Sequence, residues 1–282
     1  MSLAEYAEKH GLKRVGARPK FVEYVKDSWR RLGFAWTLSS FTNEASDART
    51  RLGKWWTFLL PVIQAGTYGL IFGLILGSNR PENYLAFLFT GVFLFAFMSG
   101  ALSSGSAAIT GNAGLVNSLS FPRVLLPISA VIRQFLNFWP SLILLAIALL
   151  LTRNWPTWEW LLEIVVIFLM TLFATGLGMF AARVNAQMRD LGKLIPFFTR
   201  ILFYVSGVFF VTEKIFADYP LLLQIASFNP FYDYIQLSRG LLLNGYEPTV
   251  SLWINCIAWA IVMPVAGMVY FWKAEEVYGR DL

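Results

Sequence analysis

The sequence predicts an all-α membrane protein. Six transmembrane helices are expected, with an N-terminal amphipathic interfacial helix, two short external re-entrant helices between the fifth and sixth spans, and both termini cytoplasmic. Three observations predict this. Of 282 residues, 57% are hydrophobic and only 14% charged, where soluble domains carry roughly 25% charge. The charges also cluster: Asp, Glu, Lys and Arg are absent from residues 55–79, 83–122, 134–152, 164–182 and 248–272. About 20 mostly apolar residues suffice for a helix to cross a bilayer. Finally, Lys and Arg fall unevenly on the segments that join these windows, and such a bias sets orientation.

Residues 1–54 form a polar, basic arm without the apolar core and small-residue cleavage site of a signal peptide. Val22, Val25, Trp29, Leu32 and Trp36 fall on one face at helical spacing, with Lys26, Arg30 and Arg31 around them. This stripe suits a helix lying in the headgroup plane, where tryptophan is enriched; a cytoplasmic helix packed on protein is the alternative. A six-span domain is expected over 55–272, with spans near 56–77, 84–108, 128–151, 161–182, 194–212 and 251–272, followed by a cytoplasmic tail over 273–282.

The N-terminus, Arg123, the group Arg183, Arg189 and Lys193, and the tail with Lys273 and Arg280 fall on one side of these spans. Only Arg80, Arg153, Lys214 and Arg239 fall on the other. The first set is therefore cytoplasmic, and the net charge of +6 follows from orientation and from contact with anionic headgroups. Gly69, Gly73 and Gly77 in the first span predict close helix approach. So do Ser99, Ser103 and Ala107, with Gly100, Ser104 and Ala108 beside them, in the second. Residues 213–249 are external yet rich in apolar side chains. Segments 219–228 and 231–243 are too short or too charged to cross, and Asn229-Pro230 breaks between them. Two re-entrant helices fit, provided that protein shields their backbone.

Several functions are excluded. No G-x-x-x-x-G-K-[ST] loop occurs, so the chain does not hold ATP in that manner. No acidic residue lies at mid-depth in a span, which argues against a proton- or sodium-coupled transporter. There is no selectivity-filter run, no arginine-rich voltage sensor, and no nucleophile with a base for intramembrane catalysis. His10 is the single histidine and Cys256 the single cysteine, which rules out a histidine metal cluster, a histidine triad and an intrachain disulfide. No basic patch is interleaved with base-stacking aromatics outside the membrane-proximal arm, so no nucleic acid is expected. What is left is a six-span protein energised by a partner.

Residues 114–127 form the first cytoplasmic loop. Leu115, Leu119, Phe121 and Pro122 make a small apolar group, while Asn117, Ser118 and Arg123 point elsewhere. A connecting turn and a short helix docking on a cytoplasmic motor both fit.

The amphipathic arm is followed in order by RLGKWWTFLLPVIQAGTYGLIFG, NAGLVNSLSFPRVLLPIS and FNPFYDYIQLSRGLLLNG. From about Phe21 onward this order resembles the membrane subunit of type-two ABC exporters. The resemblance is greatest to the branch exporting lipid-linked cell-surface polysaccharides of the O-antigen, teichoic acid and galactan types. It implies that Leu115, Leu119, Phe121, Pro122 and Arg123 belong to a coupling helix inserted into an ATPase. It further implies a homodimer of permeases bound to two nucleotide-binding subunits, which carry the ATP and Mg, in the cytoplasmic membrane of a bacterium. A permease for drugs or small lipids is the alternative cargo reading, and a scaffold without transport is the alternative class. For a glycan cargo, Phe135, Trp139, Phe203, Tyr204, Phe210 and Tyr232 are candidates to line the path; lipid-facing or belt positions are the alternative. Arg133 and Arg200 lie just inside the membrane at cytoplasmic helix ends. Their planar donor forks suit a lipid diphosphate, and snorkelling to ordinary lipid phosphates is the alternative.

Overall fold

The computed structural model describes residues 18–77, 81, 83–212, 219, 221, 228–276 and 278. Among them all regular structure is helical: α1 (Phe21–Arg30), α2 (Leu32–Ala48), α3 (Trp55–Leu76), α4 (Tyr84–Ser106), α5 (Ala113–Ser118), α6 (Leu125–Leu151), α7 (Trp160–Gln187), α8 (Arg189–Val205), α9 (Pro230–Leu242) and α10 (Val250–Trp272). A single 3₁₀ turn, Thr110–Asn112, precedes α5. Five of the described helices, α3, α4, α6, α7 and α10, are long and apolar enough to cross a bilayer. They coincide with the five charge-free windows.

The expected sixth span over 194–212 is different. Its helix starts earlier, at Arg189, and ends at Val205 after 17 residues. Gly207 takes a φ of +63°, a left-handed conformation that glycine adopts cheaply and that terminates helices. The chain beyond it is irregular through Val211. The expected short helix over 219–228 lies almost entirely outside the described residues. Its partner is α9. Asn229 caps it, accepting a bond from the Phe231 N–H at 3.0 Å, and Pro230 occupies the first helical position.

Helix α4 is the axis of the bundle. It is apolar all round, and such a helix is stable only when surrounded; Phe87, Leu88, Val92, Leu94, Met98 and Ala101 are fully covered. Helices α6, α7, α9, α3 and α8 pack on it, and α10 packs on α7. The closest approaches lie at glycines that periodicity did not single out. A Cβ on Gly176 in α7 would overlap the Met263 and Pro264 backbone of α10, and one on Gly105 would come within 2.6 Å of Gly178 Cα. The predicted stripes divide. A Cβ on Gly100 would come within 2.7 Å of the Gln134 side chain of α6, and Ala108 is buried, whereas a Cβ on Gly69 or Gly73 would make only ordinary contacts, and Ser103 and Ala107 are exposed. Most of α3 is uncovered, with Leu70, Leu74 and Ile75 65–76% exposed.

The bundle has two ends. At the arm end the arm, the 107–124 loop, the α7–α8 junction and the tail meet. Asn185 donates to the Ser106 carbonyl at 3.0 Å, Tyr24 to Glu275 at 2.7 Å, and the Trp272 indole to the Pro19 carbonyl at 2.9 Å. At the far end the Asn244 N–H donates to Asn154 at 2.8 Å, and Asn83 lies 3.5 Å from the same side chain. Helix α9 runs between levels. Phe231 at its start packs against Phe95 and Phe173, halfway along α4 and α7, and its other end leads into Asn244.

Arg239, counted by the sequence among the exposed far-side charges, is fully buried on α9. Its guanidinium donates to the carbonyls of Gly207 at 2.7 Å, Val208 at 2.9 Å and Phe87 at 3.0 Å. The break after α8 leaves carbonyls without helical partners inside the bundle, where each orphan is costly. Arginine supplies enough donors in one plane to satisfy them.

Candidate functional site

The arm end carries the 114–127 loop. Helix α5 holds Leu115 half-buried, and Leu119 follows in extended conformation, 52% exposed. Phe121 turns inward, its ring 5.1 Å from Phe34 of α2, and Pro122 is buried. Arg123 is tied down: its guanidinium donates to the Glu275 main-chain carbonyl at 2.6 Å, and its N–H to the Glu275 carboxylate at 3.1 Å. The guanidinium–carboxylate separation is 4.0 Å, so the main-chain bond is the shorter tie. Tyr24 completes the joint by donating to Glu275 and accepting from the Val124 N–H at 3.2 Å.

Burial raises the Glu275 carboxyl above its ordinary 4.5, against the lowering by the Arg123 N–H, the Tyr24 hydroxyl and the Arg123 charge. Burial, then Glu275, likewise pushes the Tyr24 hydroxyl well up. Arm, loop and tail are thus tied to one another by buried and part-buried bonds. Between them opens a cavity of about 570 Å³ lined by Glu23, Asp27, Arg31, Asn117 and Leu119 among others. The remaining surface of the loop is polar, from Asn117, Ser118 and Ser120, with Leu119 as its apolar point.

Along α4 and α8 runs a second feature. A cavity of about 300 Å³ near Thr110 and Lys193 shares Ser103 and Pro196 with one of about 340 Å³ near Gln64, Ser99, Thr199 and Arg200. Together they form a polar groove from the arm end toward the middle of the bundle. The line Ser99, Ser103 and Ala107 is its floor. Small side chains at this spacing open space here instead of admitting another helix of the chain.

Arg200 stands exposed in this groove, and Arg133 is half-buried on α6 and does not line it. Neither makes an ion pair or hydrogen bond with the described residues. Arg183 is engaged, donating to the Tyr270 carbonyl with its guanidinium 3.8 Å over the Tyr270 ring. Lys193 pairs with Asp190 at 3.0 Å on the surface.

The six aromatic candidates separate. Phe203 lines the polar groove within a cluster with Tyr68, Phe95 and Phe209, and Tyr204 beside it is exposed. Phe135 and Trp139 line an apolar groove of about 640 Å³ between α6 and α7, on the face toward α2. Phe210 packs on the main core, and Tyr232 lines a far-end cavity. Sequence reasoning missed Arg239, Tyr24 and Glu275. The lone charge in YIQLSRGLLL was a usable signal for Arg239, but nothing local marks Glu275.

The model of the ABC-2 type transporter family matches residues 42–243. This chain belongs to the ABC-2 type transporter family. Three relatives of this ABC-2 chain show how far the likeness extends. The O-antigen export system permease protein RfbA of Myxococcus xanthus is 24% identical over 93% of this chain and all of its own length. The protein of the same name from Klebsiella pneumoniae is 25% identical over 82% of this chain and 88% of its own. The polysialic acid transport protein KpsM of Escherichia coli is 27% identical over 82% and 91%. The ABC-2 match covers α3 through α9, and so includes the loop, the polar groove and Arg239.

Proposed function

We propose that this ABC-2 chain is the membrane subunit of an ATP-driven exporter that moves a polyprenyl-diphosphate-linked cell-surface polysaccharide from cytoplasm to outside. Its relatives named for O-antigen and polysialic acid export support the cargo class. The observation that carries the reading is the polar groove along α4 and α8. It enters at the arm end, holds an arginine with no partner among the described residues within the span region, and lies beside helices that the described residues leave largely uncovered.

In this reading the arm end is cytoplasmic, in the cytoplasmic membrane of a bacterium. Helix α8 and the irregular 206–212 segment make the sixth crossing, and α9 is one of two re-entrant helices. A second copy of the chain covers α3 and α8, so that two grooves enclose one path. Two-fold pairing is the commonest oligomeric symmetry. Two ATPase subunits dock on the 114–127 loops and carry the ATP and Mg. Force on Leu119 passes through Arg123 to Glu275 and Tyr24. Arg200 in the groove receives the diphosphate, with Arg133 on α6, outside the groove, as the second candidate, since a charge at that depth is costly without a partner.

The test is export by the reconstituted permease–ATPase complex in vesicles, with Arg200→Gln, Arg133→Gln and the double variant. Loss of substrate-stimulated ATP hydrolysis with basal hydrolysis intact is expected, and Lys in place of Arg should rescue only partly. Normal export by the double variant sinks the diphosphate assignment. Absence of glycan export by the wild-type complex sinks the cargo.

A further inference from the structure

The far end of the bundle holds a built polar cavity that neither the loop nor the groove uses. About 460 Å³ opens between α9, α10 and the 244–249 loop, with Tyr232, Asp233, Gln236, Tyr246, Ser251 and Asn255 on its walls. Gly240 makes the enclosure possible. A Cβ there would come within 2.7 Å of the Pro248 nitrogen, so the loop closes directly on the α9 backbone.

Asp233 is 1% exposed, and its Oδ2 has no hydrogen-bond partner among the described residues; the Asn255 side chain serves the carboxylate from α10. A buried carboxylate oxygen left unserved is costly, and such groups are rare in native structures. Position in the first turn of α9 accounts for a carboxylate here. It does not account for the unserved oxygen, nor for the polar cavity beside it.

We propose that this cavity is an exit-side subsite for a neutral sugar unit of the exported chain. The inference rests on the exporter reading above. The chemistry selects the ligand class. A carboxylate with a free oxygen accepts hydroxyl donors, and the Gln236 and Asn255 amides both donate and accept. Tyr232 and Tyr246 line the same cavity. An apolar ligand would strand these groups, and an acidic sugar would meet the Asp233 carboxylate. No group of three His, Cys, Asp or Glu that could hold a metal ion occurs among the described residues. The volume lies within the range of about 300–1,000 Å³ for small-molecule sites, room for about one or two sugar units.

The experiment uses the full chain in lipid nanodiscs and saturation-transfer NMR. Methyl glycosides of neutral hexoses, the methyl glucuronide, and calcium or magnesium alone are the probes. At least one neutral glycoside should bind the wild type, and the glucuronide should not. Asp233→Asn should weaken that binding about tenfold or more, the loss typical of a charge-assisted hydrogen bond. Ser251→Trp, on the exposed first turn of α10, should block the cavity with Asp233 intact, and so decides the matter even if the Asn variant folds poorly. No neutral glycoside binding, binding that survives both variants, or calcium or magnesium binding lost in Asp233→Asn overturns the subsite. Wild-type glycan export in the same membranes separates the two levels. Export without sugar binding removes the subsite alone, while its absence removes the exporter reading.

Discussion

Leu119 is the sharpest test of how the loop meets its motor. Of the apolar group over 115–122, Phe121 packs on Phe34 and Pro122 is buried, whereas Leu119 is 52% exposed. Burying a whole leucine side chain contributes about 1.5–3 kcal/mol, so covering the open half contributes about 0.8–1.6 kcal/mol, or roughly a 4- to 15-fold change in Kd. Leu119→Ala should weaken ATPase binding by that factor, measured by titrating labelled ATPase onto the permease in nanodiscs. The unfolding midpoint of the permease alone should stay put. Phe121→Ala should do the converse first: it removes the ring that holds α2 to the loop, and lowers the midpoint. Unchanged Kd and unchanged ATP turnover in Leu119→Ala would refute the docking argument and leave residues 114–127 a connecting turn.

Other expectations follow from partners counted in the structure. Arg239→Met removes the donors to the Gly207 and Val208 carbonyls, at about 1–3 kcal/mol for each stranded group, so about 2–6 kcal/mol in detergent-titrated unfolding; Lys should recover part, and a Met variant as stable as wild type refutes the account. Gly176→Ala forces α7 from α10 and should cost about 1–3 kcal/mol or more, while Gly66→Ala, with open space around it, should be near neutral by the same assay. Glu275 gives a pH signature. Its folded-state value is raised above the ordinary 4.5, so the stability it contributes is full below 4.5 and falls as pH rises through the raised value. The wild type should therefore lose stability across that window relative to Glu275→Gln, and parallel pH profiles would contradict the burial argument.

Much of the fold was legible because lipid imposes a coarse rule, namely long uncharged runs. Five helices overlap the five charge-free windows, differing by up to 16 residues at one end. The sixth window is helical only in part, for a local reason. Hydropathy continues smoothly through SGVFFV, but Gly207 at positive φ ends the helix, and the remedy lies 32 residues away in Arg239. Composition cannot see such a pairing. The stripe of Ser99, Ser103 and Ala107 was legible as a stripe but not in its use. Small residues admit a neighbouring helix or leave a groove, and only the position of α8 decides. At the arm end the loop was visible as an amphipathic segment, whereas its anchoring to Tyr24 and Glu275 joins residues 251 apart in the chain.

The two arginines Arg239 and Arg200 show why partner accounting, and not depth alone, separates structure from function. Both lie on helices within the span region, where a charge is costly. Arg239 is enclosed, and its donors meet the Gly207 and Val208 carbonyls that the fold itself freed by breaking a helix, together with the Phe87 carbonyl of α4. Its cost is offset within the chain, so its loss should register in stability. Arg200 is exposed in a polar groove with no described partner. Nothing in the fold requires it, so its loss should leave stability unchanged and register in transport. A double comparison makes this exclusive: Arg239→Gln should lower the unfolding midpoint, and Arg200→Gln should lower substrate-stimulated ATP hydrolysis at an unchanged midpoint. If Arg200→Gln instead unfolds the protein, the guanidinium is held by a contact that one chain does not display, such as one across the proposed dimer. Its assignment to the diphosphate then fails even if export stops.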